Sequence, residues 1–146
     1  MLKHALKKMF LVIAMSFFTG SLHAADWTMA SGYPKSNFHT QNIIKFIDEV
    51  KATTSVNINL NENDTLIKID AIKTSLQRGQ IPIGEIRLGI YGNEDPMYIL
   101  AGLRFIAPDY SSAWLLNDVQ MGYLQEKFAK KGLMILYTSP WPGQGF

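Results

Sequence analysis

Few residues of this 146-residue chain combine the types and spacing that catalysis or metal binding requires. The sequence contains no cysteine, which excludes cysteine nucleophiles and thiolate metal sites. His39 is the only histidine after residue 24, so no histidine cluster is available to a metal ion. A residue near a helix start with a local polar partner is the simpler interpretation of His39. We therefore expect no catalytic residue, no metal site and no cofactor.

Two adjacent carboxylates, Glu94 and Asp95, lie in a segment rich in turn formers. Neighbours in a loop generally point apart, which makes them a poor acid–base pair. Asp95 is expected to cap a helix that opens with Pro96 at its first position. Asn93 and Glu94 are predicted ligand contacts, because the loop Tyr91–Pro96 follows a strand whose carboxyl end would face a cleft. Ordinary turn chemistry is the alternative for both residues.

Aromatic side chains are a second group of candidate contacts. Tyr33, Tyr91 and Trp141 follow predicted strands at their carboxyl ends and could line a pocket. Aromatic residues also commonly serve as core and loop anchors, which is the alternative for these three. The sequence contains no Gly-x-Gly-x-x-Gly turn for a nucleotide and no Gly-x-Ser-x-Gly turn for a nucleophile.

The first 24 residues have the pattern of a secretory signal peptide. Three lysines precede the apolar run Met9–Phe18, and small residues lead to Ala24, where we expect cleavage. The apolar run is about half of the roughly 20 residues that a membrane-spanning helix needs. Without residues 1–24, 11 basic residues stand against 12 acidic ones, which leaves no basic patch for nucleic acid. Export without disulfides indicates a periplasmic location for the domain formed by residues 25–146.

Hydrophobic periodicity predicts an α/β fold with a mostly parallel sheet and helices on both faces. The expected strands are Asp26–Ala30, Val56–Leu60, Ile81–Ile90 and Leu133–Tyr137. The first expected helix begins after a cap at Ser36 or Asn37 and ends at about Thr53. The other expected helices span Lys68–Arg78, Met97–Leu103, Ser111–Leu116 and Asp118–Lys131. Ile81–Ile90 is apolar on both faces, which predicts a central position in the sheet.

Several motifs are similar in order and spacing to those of one known family. They are Tyr33-Pro34-x-x-Asn37-Phe38-His39-Thr40, Phe46-Ile47-Asp48-Glu49-Val50, Gly79-Gln80-Ile81-Pro82-Ile83-Gly84-Glu85, Asn93-Glu94-Asp95-Pro96 and Tyr137-x-x-Pro140-Trp141-Pro142-x-Gln144-Gly145. From Trp27 to Phe146 the chain resembles the extracytoplasmic solute-binding receptors of TRAP transporters, of the dicarboxylate-receptor type. The resemblance implies the first lobe of a two-lobed periplasmic binding protein, here incomplete because members of the family are longer.

The resemblance also implies a function. Members of the family bind a carboxylate-bearing solute between two lobes and deliver it to a membrane permease, without catalysis. The ligand-binding residues that it implies are Tyr33, Pro34, Phe38, His39, Asn93, Glu94 and Trp141. The implied partners are a small organic acid and the TRAP permease subunits, with no nucleic acid and with membrane contact only through the permease.

Two expectations and two alternatives accompany this interpretation. The arginine that clamps the carboxylate in the family lies downstream of residue 146, so we expect weak or absent solute binding by this chain alone. An unpaired sheet edge and exposed apolar helix faces are expected to favour association. The alternatives are a small secreted α/β hydrolase-like enzyme that uses His39, and a gene fragment without function. The sequence does not identify the solute.

Overall fold

A computed structural model describes residues 25–143 of the chain. Within that range a three-stranded parallel sheet consists of β1 (Ala25–Ala30), β2 (Val56–Asn61) and β3 (Ile83–Gly84). The predicted signal peptide, residues 1–24, lies outside the described residues, as do the last three residues of the chain. The predicted α/β class with a parallel sheet is confirmed.

Three α-helices and two 3-10 helices complete the described part of the chain. The α-helices are α1 (Phe38–Thr53), α2 (Ile72–Gln77) and α3 (Tyr110–Ala129), and the 3-10 helices are Leu88–Tyr91 and Pro96–Gly102. None of these helices has the length and apolar character that crossing a membrane would need.

The centre of the sheet is β1, not the segment Ile81–Ile90. All six residues of β1 pair with β2, whereas only Met29 and Ala30 pair with β3. The prediction of a long central strand is therefore wrong. Pro82 has no backbone N–H to give to a ladder, and after Gly84 the chain leaves the sheet and turns into a 3-10 helix.

The apolar residues of this segment serve two separate cores, which explains why the run is apolar on both sides. Ile81 packs with Ala30 and Ile72 on one face of the sheet. Leu88 and Ile90 lie against a different cluster, which contains the residues Tyr91, Tyr98, Leu124 and Phe128. A continuous apolar run thus reflects a change of core rather than burial of one strand on both faces.

Helices cover both faces of the sheet, as predicted. Helix α1 packs on one face, where Ile43 lies in a cluster with Met29 and Ile58. Helix α2 packs on the other face through Ile72, which is fully buried. Gly84 permits this close approach, because a Cβ atom at that position would lie 2.7 Å from Ile72 Cγ2.

The predicted fourth strand, Leu133–Tyr137, does not join the sheet, so that prediction is wrong as well. Its apolar residues alternate between half-buried and exposed, and Met134 is 79% exposed. This alternation has the period of a strand, but a ladder also needs a neighbouring strand that is free to pair. The two residues of β3 pair with β1 alone within the described chain.

Helix ends follow the caps that the sequence predicts. The side chain of Asn37 accepts a hydrogen bond from the His39 backbone N–H at the start of α1, and Asp95 does the same for Met97. Gly79 and Gly132 adopt left-handed φ values of 66° and 72° after α2 and α3. Helix α2 is shorter than the predicted Lys68–Arg78, because residues before Ile72 form turns.

The predicted pair of helices, Ser111–Leu116 and Asp118–Lys131, is one continuous helix, α3. No proline or glycine separates the two predicted pieces, and Asn117 between them costs a helix little. The helix begins at Tyr110 because the side chain of Asp109 accepts a hydrogen bond from the Ser112 backbone N–H at 2.7 Å.

Candidate functional site

The ends of β1 and β3 place two polar side chains beside each other. The Glu85 backbone N–H donates to the Ala30 carbonyl at 2.9 Å, which joins the residue after β3 to the end of β1. Ser31 directly follows β1, and its backbone N–H donates to the Asn61 carbonyl at 3.0 Å. The Ser31 hydroxyl then donates to the Glu85 carboxylate. The carboxyl ends of parallel strands meet at this edge, where ligands commonly bind in open α/β sheets.

The first turn of α1 brings two aromatic rings to the same edge. The cap by Asn37 fixes the start of the helix, so that Phe38 and His39 occupy its first two positions. Phe38 and His39 have ring centroids 4.1 Å apart. Tyr33 lies in the loop between β1 and α1, and its backbone carbonyl accepts a hydrogen bond from the Thr40 hydroxyl at 3.3 Å.

Trp141 completes an aromatic cluster formed by Tyr33, Phe38, His39 and Trp141. Its ring centroid lies 4.4 Å from that of His39, 5.3 Å from that of Phe38 and 5.4 Å from that of Tyr33. All three of these contacts have edge-to-face geometry, which aromatic pairs favour. The structure therefore brings together four of the seven predicted site residues.

The aromatic cluster contains two buried polar atoms, Tyr33 Oη and His39 Nε2, for which residues 25–143 provide no hydrogen-bond partner. A buried polar atom left unpaired costs free energy, and such atoms mark places where a ligand or water completes the hydrogen bonding. Burial lowers the pKa of His39, so the imidazole is neutral at pH 7. Burial raises the pKa of Tyr33, which keeps its hydroxyl protonated. Both groups can therefore form hydrogen bonds without carrying charge.

An open cavity of about 940 Å³ begins at the aromatic cluster. Tyr33, His39 and Trp141 line one end, and the cavity continues along β3 and the segment Leu133–Tyr137 to Leu124 in α3. The volume is that of a site for a small organic molecule. Most of the wall is apolar, so the few polar groups at the strand ends decide what can bind there.

Glu85 and Arg87 also line the cavity, and sequence reasoning did not select either of them. Burial raises the pKa of Glu85, while the hydrogen bond from Ser31 opposes that rise. Arg87 is exposed, and its charge lies close enough to Tyr33 to lower the pKa of the phenol, against the larger effect of burial. If the strand had been predicted to end at Gly84, the position of Glu85 and Arg87 just after it would have identified both residues as candidates.

Asn93 and Glu94 lie away from the aromatic cluster and do not line the cavity. Glu94 forms ion pairs with Lys73 and Lys131, and the hydrogen bonds from Lys131 and Lys73 lower the pKa of its carboxyl group. The ammonium of Lys73 lies 4.0 Å from the centre of the Tyr91 ring. These contacts hold α2, the Tyr91–Pro96 loop and the end of α3 together, so they stabilise the fold.

Two further candidates have local structural contacts. Pro34 is exposed, and its carbonyl accepts a hydrogen bond from the Asn37 backbone N–H at 2.9 Å, just before α1. Tyr91 is buried in the core with Tyr98 and is not at the cavity. Residues 25–143 contain no group of three or more histidine, aspartate or glutamate side chains that could hold a metal ion.

Solved structures show what this chain is similar to. DctP6, a Bordetella pertussis extracytoplasmic solute receptor binding pyroglutamic acid, is 38% identical over 81% of this chain, with a TM-score of 0.78. DctP7 of the same organism, also a receptor binding pyroglutamic acid, is 35% identical over 82% of the chain, with a TM-score of 0.77. A marine metagenome TRAP solute-binding protein specific for pyroglutamate is 32% identical over 84%, with a TM-score of 0.79.

The chain spans about two fifths of the length of these receptors, 40% of DctP6 and of DctP7 and 41% of the marine protein. No family model matches the sequence, and no curated protein matches it significantly. The match in sequence and fold confirms the predicted resemblance to TRAP receptors. It also confirms that the chain corresponds to part of one lobe of these two-lobed proteins. In sequence and in fold, this chain belongs to the family of TRAP-type extracytoplasmic solute-binding receptors.

Proposed function

We propose that this chain forms one wall of the solute-binding cleft in a periplasmic receptor of a TRAP-type uptake system for organic acids. The observation that carries the proposal is the aromatic cluster at the strand ends. Its Tyr33 Oη and His39 Nε2 lie at the mouth of the cavity and have no hydrogen-bond partner among the described residues. Neutral hydrogen-bonding groups held by rigid aromatic contacts suit reversible binding of a small solute.

The similar receptors supply the class of solute. Those that are at least 30% identical to this chain bind pyroglutamate, a small cyclic acid with one carboxylate. We take this acid as the first solute to test. In the proposed receptor Tyr33, Phe38, His39 and Trp141 contact the solute, and Pro34 shapes the loop that holds them. Asn93 and Glu94 stay predicted contacts, although the two lysines already satisfy the Glu94 carboxylate.

Location and delivery are part of the same proposal. The similar receptors are extracytoplasmic proteins, and a cleaved signal peptide over residues 1–24 would export this chain to the periplasm. The solute-loaded receptor would then dock on the TRAP permease subunits.

Binding rather than catalysis agrees with the family and with the site. The family consists of solute-binding receptors, which confirms the expectation that the chain is not an enzyme. The hydrolase alternative requires a nucleophile within hydrogen-bonding reach of His39. In the described part of the chain no side chain forms a hydrogen bond with the buried His39 Nε2.

A pair of tryptophan substitutions tests the proposal. Trp141→Ala removes the ring that contacts the three other members of the aromatic cluster, so we expect affinity for L-pyroglutamate to fall by roughly tenfold. Trp114→Ala is the matched control, because Trp114 is 52% exposed on α3 and does not line the cavity. Ligand-detected NMR titration measures both variants. Equal affinities in the wild type and Trp141→Ala would contradict the proposal.

A further inference from the structure

Glu85 places a half-buried carboxylate at the cavity, and a site that bound only the carboxylate of a solute would not need one there. Its side chain is half-buried and lines the cavity, yet within the described residues it forms no ion pair. The one hydrogen-bond donor to its carboxylate in that part of the chain is the Ser31 hydroxyl. A partly desolvated carboxylate with one donor has acceptor capacity left for a ligand.

The orientation of Ser31 is determined by a second contact. Its Oγ accepts a hydrogen bond from the Tyr33 backbone N–H at 3.3 Å, so the single hydroxyl proton is free to point at Glu85. Ser31 is fully buried, which keeps this arrangement away from competing water. One carboxylate oxygen, Oε2, is therefore held by the protein, and Oε1 accepts no hydrogen bond from the described residues, while the Glu85 side chain lines the cavity.

The charge of Glu85 decides which part of a solute can lie beside it. A solute carboxylate next to Glu85 in its ionised form would place two like charges together in a partly desolvated site, which is unfavourable. An N–H or O–H group of the solute would instead form a charge-assisted hydrogen bond with the free carboxylate oxygen. The neutral Tyr33 and His39 groups, together with the positive Arg87, leave the other part of the cavity mouth suitable for the acid group.

We propose that Glu85 is a specificity-determining residue that selects organic acids carrying a hydrogen-bond donor, an amide N–H or a hydroxyl, in addition to their carboxylate. The inference rests on the proposed function and adds the part of the solute that this wall recognises. Simple carboxylates without such a donor are rejected, because they leave the Glu85 oxygen unpaired in a partly buried site.

The experiment compares L-pyroglutamate with its lactone analogue, in which an oxygen replaces the ring N–H. The two acids have the same shape and charge and differ in one donor. We expect the wild-type chain to bind the lactam at least about tenfold more tightly than the lactone, as measured by NMR titration of both.

The variant Glu85→Gln tests whether Glu85 causes the preference for the lactam. Because the Ser31 hydroxyl donates its proton, it retains the amide oxygen as its partner, and the NH₂ group takes the place of Oε1, so that an acceptor becomes a donor. We expect the preference for the lactam to be lost or reversed. Glu49→Gln is the matched control, because Glu49 is exposed on α1, and it should retain the wild-type preference.

The outcomes separate the two proposals. If the wild type binds both acids equally, or if Glu85→Gln keeps the preference for the lactam, the inference about Glu85 is wrong while solute binding stands. If the wild type binds neither acid, the proposed function itself fails for this chain, and the inference fails with it.

Discussion

At the scale of single residues, Asp95 is a buried carboxylate that forms three polar contacts away from the cavity. It accepts hydrogen bonds from Tyr123 Oη at 2.6 Å and from the Met97 backbone N–H at 3.0 Å, and Lys127 Nζ lies 3.0 Å from Oδ2. The hydrogen bonds from Tyr123 and Lys127 lower the pKa of Asp95 from 3.8 to about 2. This carboxylate joins the Pro96–Gly102 helix to α3.

The lowered pKa predicts a dependence of stability on pH. A group whose pKa is lower in the folded state stabilises the fold above its unfolded pKa, and this contribution is lost as the pH falls from 3.8 towards about 2. We expect Asp95→Asn to lower the melting temperature at pH 7 and to flatten its decrease over that acid range. Thermal melts at a series of pH values measure this. Asp48→Asn, an exposed change on α1, should keep the wild-type pH profile. An unchanged profile in Asp95→Asn would contradict the assignment.

At the scale of elements, the turn after α2 sets the direction of the chain into β3. Gly79 has a φ of 66°, and its backbone N–H donates to the Leu76 carbonyl while that of Gln80 donates to Ser75. These two bonds close the helix in the manner of a Schellman motif. The geometry brings Ile81, and then Glu85, to the end of β1.

Gly79→Ala tests how much this turn contributes to stability. A Cβ at Gly79 would meet no atom within 4 Å, so the expected loss of about 1–2 kcal/mol comes from the left-handed backbone alone. Gly102→Ala is the matched control, since a Cβ there also meets no atom and the backbone is not left-handed. It should change the free energy of unfolding by less than about 0.5 kcal/mol. Urea denaturation measures both variants, and equal effects would show that backbone strain is not the cause.

The accuracy of the sequence predictions depended on whether an element is determined locally. Helix α1 and strand β2 were predicted to within a residue at each end, because Asn37 caps the helix and Val56–Leu60 alternates in polarity. The segments Ile81–Ile90 and Leu133–Tyr137 were wrong as strands. Their backbone state depends on which distant segment is free to pair, and periodicity contains no information on that.

The candidate site also contains residues placed by local structure and residues placed by distant contacts. Tyr33 follows β1, and Phe38 and His39 open α1, whereas Trp141 follows a segment that is not a strand in the structure. Position at predicted strand ends selected Tyr33 and Trp141, and Phe38 and His39 were implied as ligand contacts only by the resemblance to TRAP receptors. Glu85 was missed because the end of β3 was placed six residues too late, at Ile90 rather than Gly84. Its burial and its bond to Ser31 arise from a contact between residues 54 positions apart.

At the scale of the whole molecule, large apolar side chains are exposed on α3. Val119 is 74% exposed, Leu115 is 68% exposed and Trp114 is 52% exposed. Leu115 and Val119 lie one turn apart on the same side of the helix, and an exposed apolar surface of this kind favours association in water. This agrees with the expectation of exposed apolar helix faces that the sequence provided.

Val119→Lys should reduce self-association of the chain without unfolding it. Lysine is a better helix former than valine and its charge is solvated, so we expect a change in unfolding free energy within about 0.5 kcal/mol. Gln125→Lys adds the same charge at an exposed polar position of α3 and is the matched control. Analytical ultracentrifugation measures the association. If Gln125→Lys reduces association as much as Val119→Lys, net charge rather than the apolar surface is responsible.

The central claim is that the aromatic cluster at the strand ends is a wall of a solute-binding cleft. Two-dimensional ¹H–¹⁵N NMR spectra of the whole chain, recorded during titration with L-pyroglutamate, test it most directly. The sequence leaves open whether binding by this chain alone is weak or absent, and the account predicts the first: weak, saturable binding, with progressive shifts of the Phe38 and His39 backbone amides and of the Trp141 indole N–H. The Trp114 indole N–H on α3 should stay in place. Spectra without shifts in the aromatic cluster, or with shifts confined to α3, would contradict the account.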